Sequence, residues 1–357
     1  MLNFAVGPVM MDEEILNIGS NQIPYFRTNE FSTLMKENEK MLLKCVNAPF
    51  SSKGIFLTGS GTAAMEATIM NLFTRNDKVL VVNGGSFGGR FKEICDIHSI
   101  QSDEIKLNYF EPLTEKDLVP FDNKGYTALL INVHETSTGV LYDMSLVKKF
   151  CEKNNLLLVV DAISSFLADP YDMNEYGINV TILSSQKALA LPPGMSYIII
   201  DSKAEERILN NKVNNLYFNL KKYLEDGKRG QTPYTPAVGN LIQLNKRLKM
   251  VTDKGVDNVI KEVSRLALDF RKQIKNLPLE VATNSLSNAL TPIRVKGKMT
   301  ANQIFTYLKD NHGIFVVPSG GELEDILFRV GHIGAINFDD SNKLISILNQ
   351  MNEERIL

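Results

Sequence analysis

Two short segments carry residues whose types and placement could do chemistry. In VVDAISSF an apolar run delivers Asp161 at its carboxyl end, the edge at which open α/β sheets place their ligands. In SSQKALALPPG the next apolar run ends just before Lys187, and a Pro-Pro-Gly turn prevents simple helical continuation. Desolvation and neighbouring positive charge at such a position lower a lysine pKa and leave the amine nucleophilic, as a Schiff-base lysine requires. Taken singly, an Asp at a strand end is more often a cap or turn residue, and a lysine more often lies on the surface. On consecutive strand ends the pair reads differently. A carboxylate for a pyridinium nitrogen and a lysine for an aldehyde together suit pyridoxal 5′-phosphate (PLP). The carboxylate keeps the ring nitrogen protonated, which makes the ring an electron sink when an amino-acid Cα proton leaves.

Such a cofactor needs a phosphate anchor, and FLTGSGTAAMEATIMNLF supplies one: a short strand, a Gly-rich turn at Gly59, Ser60 and Gly61, and a helix beginning near Thr62. Free N–H groups and the helix dipole at that start favour an anion. The competing reading is a helix cap without a ligand.

The elements needed to position these groups are legible as alternating β-rich and helical runs from about residue 54 to 201, the form of a mainly parallel sheet covered by helices. Strands are expected at GIFLT, KVLVVN (78–83), IKLNYF (105–110), YTALLINV (126–133), LLLVVDA (156–162), NVTILSS (179–185) and MSYIIID (195–201), and helices at 62–73, 87–98 and 143–154. Several of the strands are apolar at consecutive positions, as strands buried on both faces are. Long helical stretches follow to about Asn276 with one break at 232–240, and a smaller α+β unit closes the chain. The expected division is an N-terminal segment (1–20) contributing to the active site, a large cofactor domain (21–250) and a small C-terminal domain (251–357).

Composition narrows the function classes. At 357 residues the chain buries a full enzyme core, and 39 basic against 41 acidic residues give a net charge of −2, which favours neither nucleic acid nor an acidic membrane. The partner is expected to be a small molecule. Cys45, Cys95 and Cys151 form no CxxC pair, and His98, His134, His312 and His332 are scattered, so neither a disulfide framework nor a metal site is expected. With no signal-like start and no apolar run of membrane-spanning length, the expected location is the cytoplasm.

The set TGSGTAAME, NGGSFGGR, HETSTGV, VVDAISS, SSQKALALPPG and LFRVGHIG resembles, in order over nearly the whole chain, the class V aminotransferases, especially the serine/alanine group acting with pyruvate or glyoxylate. The resemblance implies the PLP-dependent transferase fold type I, with a mainly parallel seven-stranded sheet and a smaller C-terminal α+β domain, in a homodimer with active sites at the subunit interface. It implies that Ser60, Gly61 and Thr62 hold the phosphate, Phe87 stacks on the ring, Ile163 packs beneath it and Gln186 lies on the phosphate side. Thr136, or the adjacent Ser137, corresponds to the hydroxyl that approaches the phenolic oxygen, and Thr232 and Thr235 to residues contributed by the neighbouring subunit. Arg329 matches the arginine that binds the substrate carboxylate, a role suited to a planar fork. Gly7 lies where backbone runs beside the substrate.

One stretch departs from the family pattern. QIPYFRTNEF carries Phe26 where His is common, so Tyr25 and Arg27 either recognise a second anionic group, including a phosphonate, or Arg27 bridges to Glu30 at the surface. The expected reaction is transamination from a small donor (alanine, serine or similar) to a small 2-oxo acid through an internal aldimine at Lys187, with 2-aminoethylphosphonate–pyruvate transamination as the alternative. A desulfurase or lyase is disfavoured because no Cys lies near Arg329, and a non-catalytic role because Asp161, Lys187 and Arg329 are all present.

Overall fold

The computed structural model describes residues 1–357. Seven strands form the central sheet in the spatial order Lys53–Thr58, Met195–Ile200, Val180–Ser184, Leu157–Asp161, Ala128–Asn132, Lys78–Asn83 and Gln101–Lys106. Only Met195–Ile200 runs antiparallel to its neighbours. The middle strands are buried at every position or nearly so, which explains their unbroken Val, Ile and Leu runs. Helices Gly61–Leu72 and Ser86–Ile97 build one apolar layer on the sheet, and Asn29–Cys45, Met144–Asn154 and Val238–Lys254 build the other. A four-stranded antiparallel sheet (Leu279–Val281, Leu290–Val295, Leu327–Gly331, Val317–Pro318) with helices Val256–Gln273, Ala301–His312 and Phe338–Glu353 forms a third core.

Two expectations are corrected. The strand placed at 105–110 lies at Gln101–Lys106, and Phe110 adopts a positive φ of 71° in the loop beyond. This is an edge strand in which only Ile105 is buried, so QSDEIK needs no apolar run and hides from a hydrophobicity search. The helical stretch after residue 201 is also broken more often than expected, into Ser202–Asn210, Leu220–Gly227, Val238–Lys254 and Val256–Gln273. Buried Asn71 donates to the Phe218 carbonyl at 2.6 Å and accepts from the Leu220 N–H at 3.0 Å, so a tertiary partner satisfies the backbone where the second of these helices starts.

The N-terminal segment joins the two sheets. Leu2 and Asn3 pair with Ile314 and Phe315, and the Phe4 carbonyl accepts from Gly331 at 2.7 Å, next to the strand that carries Arg329. Val9 then donates to the Gln186 carbonyl at 3.2 Å. Residues 4–9 therefore run from the arginine strand to the lysine loop.

Candidate active site

The carboxyl ends of adjacent strands supply the site. Asp161 closes Leu157–Asp161 and is buried, with its Oδ1 accepting from the Ile163 N–H at 2.8 Å. Burial pushes its carboxyl up to about 6, against the opposing pull of that N–H and of Lys187. Lys187 follows Val180–Ser184 by three residues, open only toward the cleft and otherwise surrounded by protein. Burial lowers its amine to about 8; Asp161 resists that shift, while Arg329 and Arg90 add to it. No ion pair within 4.0 Å joins Lys187 to Asp161. Two chemically opposite groups thus face one cleft without neutralising each other.

The lysine loop is stiff. Ala190 donates to the Lys187 carbonyl at 2.8 Å, and the Ser185 hydroxyl donates to the Pro192 carbonyl at 2.7 Å. Gly59 donates to the Gly194 carbonyl at 2.9 Å, which fixes the Gly-rich turn against the Pro-Pro-Gly turn. The helix Gly61–Leu72 starts there with the Ser60 hydroxyl making no cap bond, and the N–H groups of Gly61, Thr62 and Ala63 have no acceptor in the chain. A Cβ at Gly61 would lie 2.3 Å from Ile163 Cδ1, so a larger residue there would displace the end of that side chain.

A narrow cleft of about 120 Å³ results. Nine sequence-predicted residues line it: Ser60, Gly61, Thr62, Phe87, Thr136, Asp161, Ile163, Gln186 and Lys187. Arg329 reaches its rim, donating to the Thr136 carbonyl at 3.0 Å and the Pro318 carbonyl at 3.2 Å, while its buried Nε has no partner. No carboxylate lies within 4.0 Å of its guanidinium, so it has capacity for one. Thr232, Thr235, Tyr25 and Arg27 stand outside the cleft of their own chain. The Thr232 hydroxyl donates to the Tyr234 carbonyl at 2.7 Å, and Thr235 and Tyr25 are exposed. Arg27 does not bridge to Glu30; it donates to Gln231 Oε1 at 3.1 Å and the Thr232 carbonyl at 2.8 Å, which draws it toward the 231–235 segment.

Sequence reasoning missed Arg90, His134 and Ser164, which also line the cleft, and Glu135 behind it. Arg90 lies over the Phe87 ring at 4.9 Å and donates to Thr62 Oγ1 at 3.2 Å. The fully buried Glu135 carboxylate accepts from the N–H groups of Phe87 (3.2 Å), Gly88 (2.9 Å) and Ser137 (3.1 Å) and from Asn132 Nδ2 (2.9 Å). It thereby pins the start of the helix bearing Phe87 to the strand end bearing Thr136. The only sequence signal was its place in HETSTG.

Gly7 meets the lysine directly. At φ +152°, a Cβ there would stand 2.6 Å from Lys187 Cδ and 2.9 Å from Nζ. Gly7→Ala is expected to lower kcat by about 10-fold or more while the cooperative unfolding transition persists, because overpacking of this kind costs about 1–3 kcal/mol. Steady-state kinetics beside a thermal melt check this; unchanged kcat would show that the lysine has room to move aside.

The comparisons agree with this architecture. The model of the family described as aminotransferase class-V matches residues 19–332. A protein of Synechococcus sp. named soluble hydrogenase, small subunit, is 30% identical over 96% of this chain and 90% of its own length. The L-aspartate–glyoxylate aminotransferase of Paracoccus denitrificans is 27% identical over 93% of this chain and 86% of its own. Among solved structures, an aspartate aminotransferase of Thermus thermophilus superposes with a TM-score of 0.92 at 24% identity, over 99% of this chain and 100% of that one.

Proposed function

The chain belongs to the class-V aminotransferases, a PLP-dependent family of fold type I, and from that premise we propose that it moves the amino group of a small donor to a small 2-oxo acid. Alanine, serine or a similar amino acid is the donor in this reading, and pyruvate or glyoxylate the acceptor. Support for glyoxylate comes from the printed name of the Paracoccus relative. The observation that carries the reading is the unpaired Lys187 amine facing buried Asp161 across a cleft bounded by an unliganded helix start.

The residues present fit PLP. Asp161 would hold the ring nitrogen, Ser60, Gly61 and Thr62 the phosphate with Gln186 beside it, Phe87 one ring face and Ile163 the other, and Thr136 would stand at the phenolic edge. When bound, the cofactor supplies a ring that withdraws the negative charge left at the donor's Cα. The protein's own part is positioning and proton transfer. Arg329 would hold the substrate carboxylate, and Lys187 Nζ, its pKa lowered to about 8, would hold the cofactor's aldehyde until the donor's amine displaces it and, once freed as a neutral amine, would take the Cα proton and return it one carbon away. Gly7 keeps the backbone close enough to exclude water from that amine.

In the same reading two chains assemble as a homodimer in which Thr232 and Thr235 serve the neighbour's phosphate, and the chain divides at 1–20, 21–250 and 251–357. No helix is long and apolar enough to cross a membrane, and three buried free thiols suit a cytoplasmic, reducing setting. Those thiols also oppose a desulfurase reading, since burial pushes each of them up, Cys45 to about 11 and Cys95 and Cys151 to about 12. Arg27 already donates to Gln231 and Thr232, which favours small amino acids over 2-aminoethylphosphonate as donor.

The test is an absorbance scan of the PLP-loaded protein with L-alanine, L-serine and 2-aminoethylphosphonate in turn. One of the first two is expected to convert the cofactor to its amine form, and pyruvate or glyoxylate to restore it. Conversion by the phosphonate alone would overturn the choice of donor; conversion by none would overturn transamination of small donors. Arg329→Leu is expected to lower kcat/KM for the carboxylate donor roughly 100-fold, mainly through KM, with PLP affinity nearly unchanged.

A further inference from the structure

Arg247, on the helix Val238–Lys254, stands behind the lysine loop and has no part in the reaction scheme above. Its Nη1 donates to Asp12 Oδ2 at 3.0 Å and its Nη2 to the Ala188 carbonyl at 3.3 Å, one residue past Lys187. The side chain is 14% exposed, its Nε has no partner, and Asp12 is its one carboxylate within 4.0 Å.

Asp12 forgoes a local role for this contact. It holds the N-cap position of the helix Glu13–Gly19, where a carboxylate ordinarily accepts from the first N–H groups, yet its side chain makes no cap bond. That helix docks on Val238–Lys254 by other means: Gln243 Nε2 donates to the Ile15 carbonyl at 2.8 Å, and Lys246 pairs with Glu14 at 2.5 Å. What the Asp12–Arg247 pair adds is the placement of the residues just before the helix.

Those residues are the ones that reach the lysine. Val9 donates to the Gln186 carbonyl at 3.2 Å, and Gly7 lies so close to Lys187 that a Cβ would stand 2.6 Å from its Cδ. The two bonds of Arg247 therefore end on either side of this contact, one on the N-terminal segment and one on the lysine loop. Asp12, Ala188 and Arg247 also line one cavity of about 690 Å³, bounded further by the helix Val256–Gln273 and residues 332–338, so the guanidinium bridges a gap that no packed layer fills. A planar fork can serve two acceptors at a fixed separation.

We propose that Arg247 is a positioning residue for Lys187: by gripping Asp12 and the Ala188 carbonyl together, it holds residues 4–11 against the lysine and keeps water from its amine. This rests on the reading of Lys187 as the cofactor's anchor.

The first readout is the pH midpoint of PLP capture by the apoprotein, expected at about 8 in the wild type. Arg247→Met keeps the apolar stem and removes both bonds. Its midpoint should rise by about one unit as water reaches the amine, which lowers capture at pH 8 about five-fold. The charges acting on Lys187 are those of Asp161, Arg329 and Arg90, and none is altered, so the shift reports hydration. Asp12→Asn should give a similar rise, and the double variant no larger one, because the two residues act through one contact. Arg247→Lys, which can serve only one of the two acceptors, should recover part of the shift. Lys246→Met removes an ion pair between the same two helices without touching the lysine loop, and should leave the midpoint unmoved. The second readout needs no cofactor: amide hydrogen exchange over residues 4–11 should quicken in Arg247→Met and Asp12→Asn, but not in Lys246→Met. A wild-type midpoint in the folded Arg247→Met and Asp12→Asn proteins overturns the proposal whatever the exchange shows, as does an equal shift in Lys246→Met. Should Arg247→Met fail to fold, Asp12→Asn decides alone. A wild type that takes up no PLP overturns the cofactor site and this proposal with it, whereas unshifted variants of a PLP-binding wild type overturn this proposal alone.

Discussion

Replacing Lys187 with alanine is expected to lower turnover by at least about 10⁴-fold, because in the proposed reaction one side chain would serve both as covalent anchor and as proton carrier. The fold should survive, since the Lys187 side chain makes no hydrogen bond or ion pair that the lysine loop depends on; Ala190 and Ser185 hold that loop through backbone partners. A thermal melt close to wild type, together with single-turnover kinetics showing no cofactor conversion, would bear this out. Retained turnover would move the chemistry to another amine. The lowered pKa adds a pH dependence whose sign is determined. Below about 8 the amine is protonated and cannot attack an aldehyde, and above it the neutral form dominates. The rate at which the wild-type apoprotein captures PLP should therefore rise with pH through that value. Stopped-flow absorbance measures it, and a flat or falling profile would mean that another group controls capture.

Asp161→Asn should cost roughly 10³-fold in kcat/KM, the scale on which a preorganised charged partner acts in a water-excluded site. The substitution is nearly isosteric, so the Ile163 N–H keeps an acceptor and the strand end keeps its shape. What is lost is negative charge. Burial outweighs the Ile163 N–H and Lys187 and raises the Asp161 carboxyl to about 6, so the apoprotein at neutral pH holds a poorly solvated carboxylate that a protonated ring nitrogen would stabilise. A neutral amide cannot hold that proton in place. The check is kcat/KM for the donor identified in the absorbance scan, measured with PLP and with a ring-N-methylated analogue whose charge is permanent. Partial recovery with the analogue in the Asn variant is expected. Equal loss with both cofactors would mean that Asp161 acts through geometry alone.

The sequence and the structure share this site unevenly, and the division has a physical basis. Asp161, Lys187 and Ser60–Thr62 were legible because each follows an apolar run or a glycine turn, signals that local chain chemistry imposes. The family resemblance then placed Phe87, Thr136, Ile163 and Gln186, and the fold brings all of them to one cleft. His134, Ser164 and Glu135 have no such local mark. A lone histidine or serine is as common in a core as in a site, and the role of Glu135 exists only because backbone N–H groups from residues about 50 positions away turn toward it. Arg27 shows the reverse: its spacing to Glu30 suggests a surface pair, yet Gln231 and Thr232, more than 200 residues distant, take its guanidinium.

By itself, then, the sequence determined the sheet's buried strands, the placement of Asp161 and Lys187 at two strand ends and the family to which the chain belongs, because hydrophobic periodicity and short motifs are written in neighbouring residues. Only the tertiary structure decided where the edge strand and the helix breaks fall, how the N-terminal segment lies against Lys187, and which groups Glu135 and Arg27 bind. Those features depend on partners distant in sequence, and a polar group's role is undefined until the fold has chosen its partner.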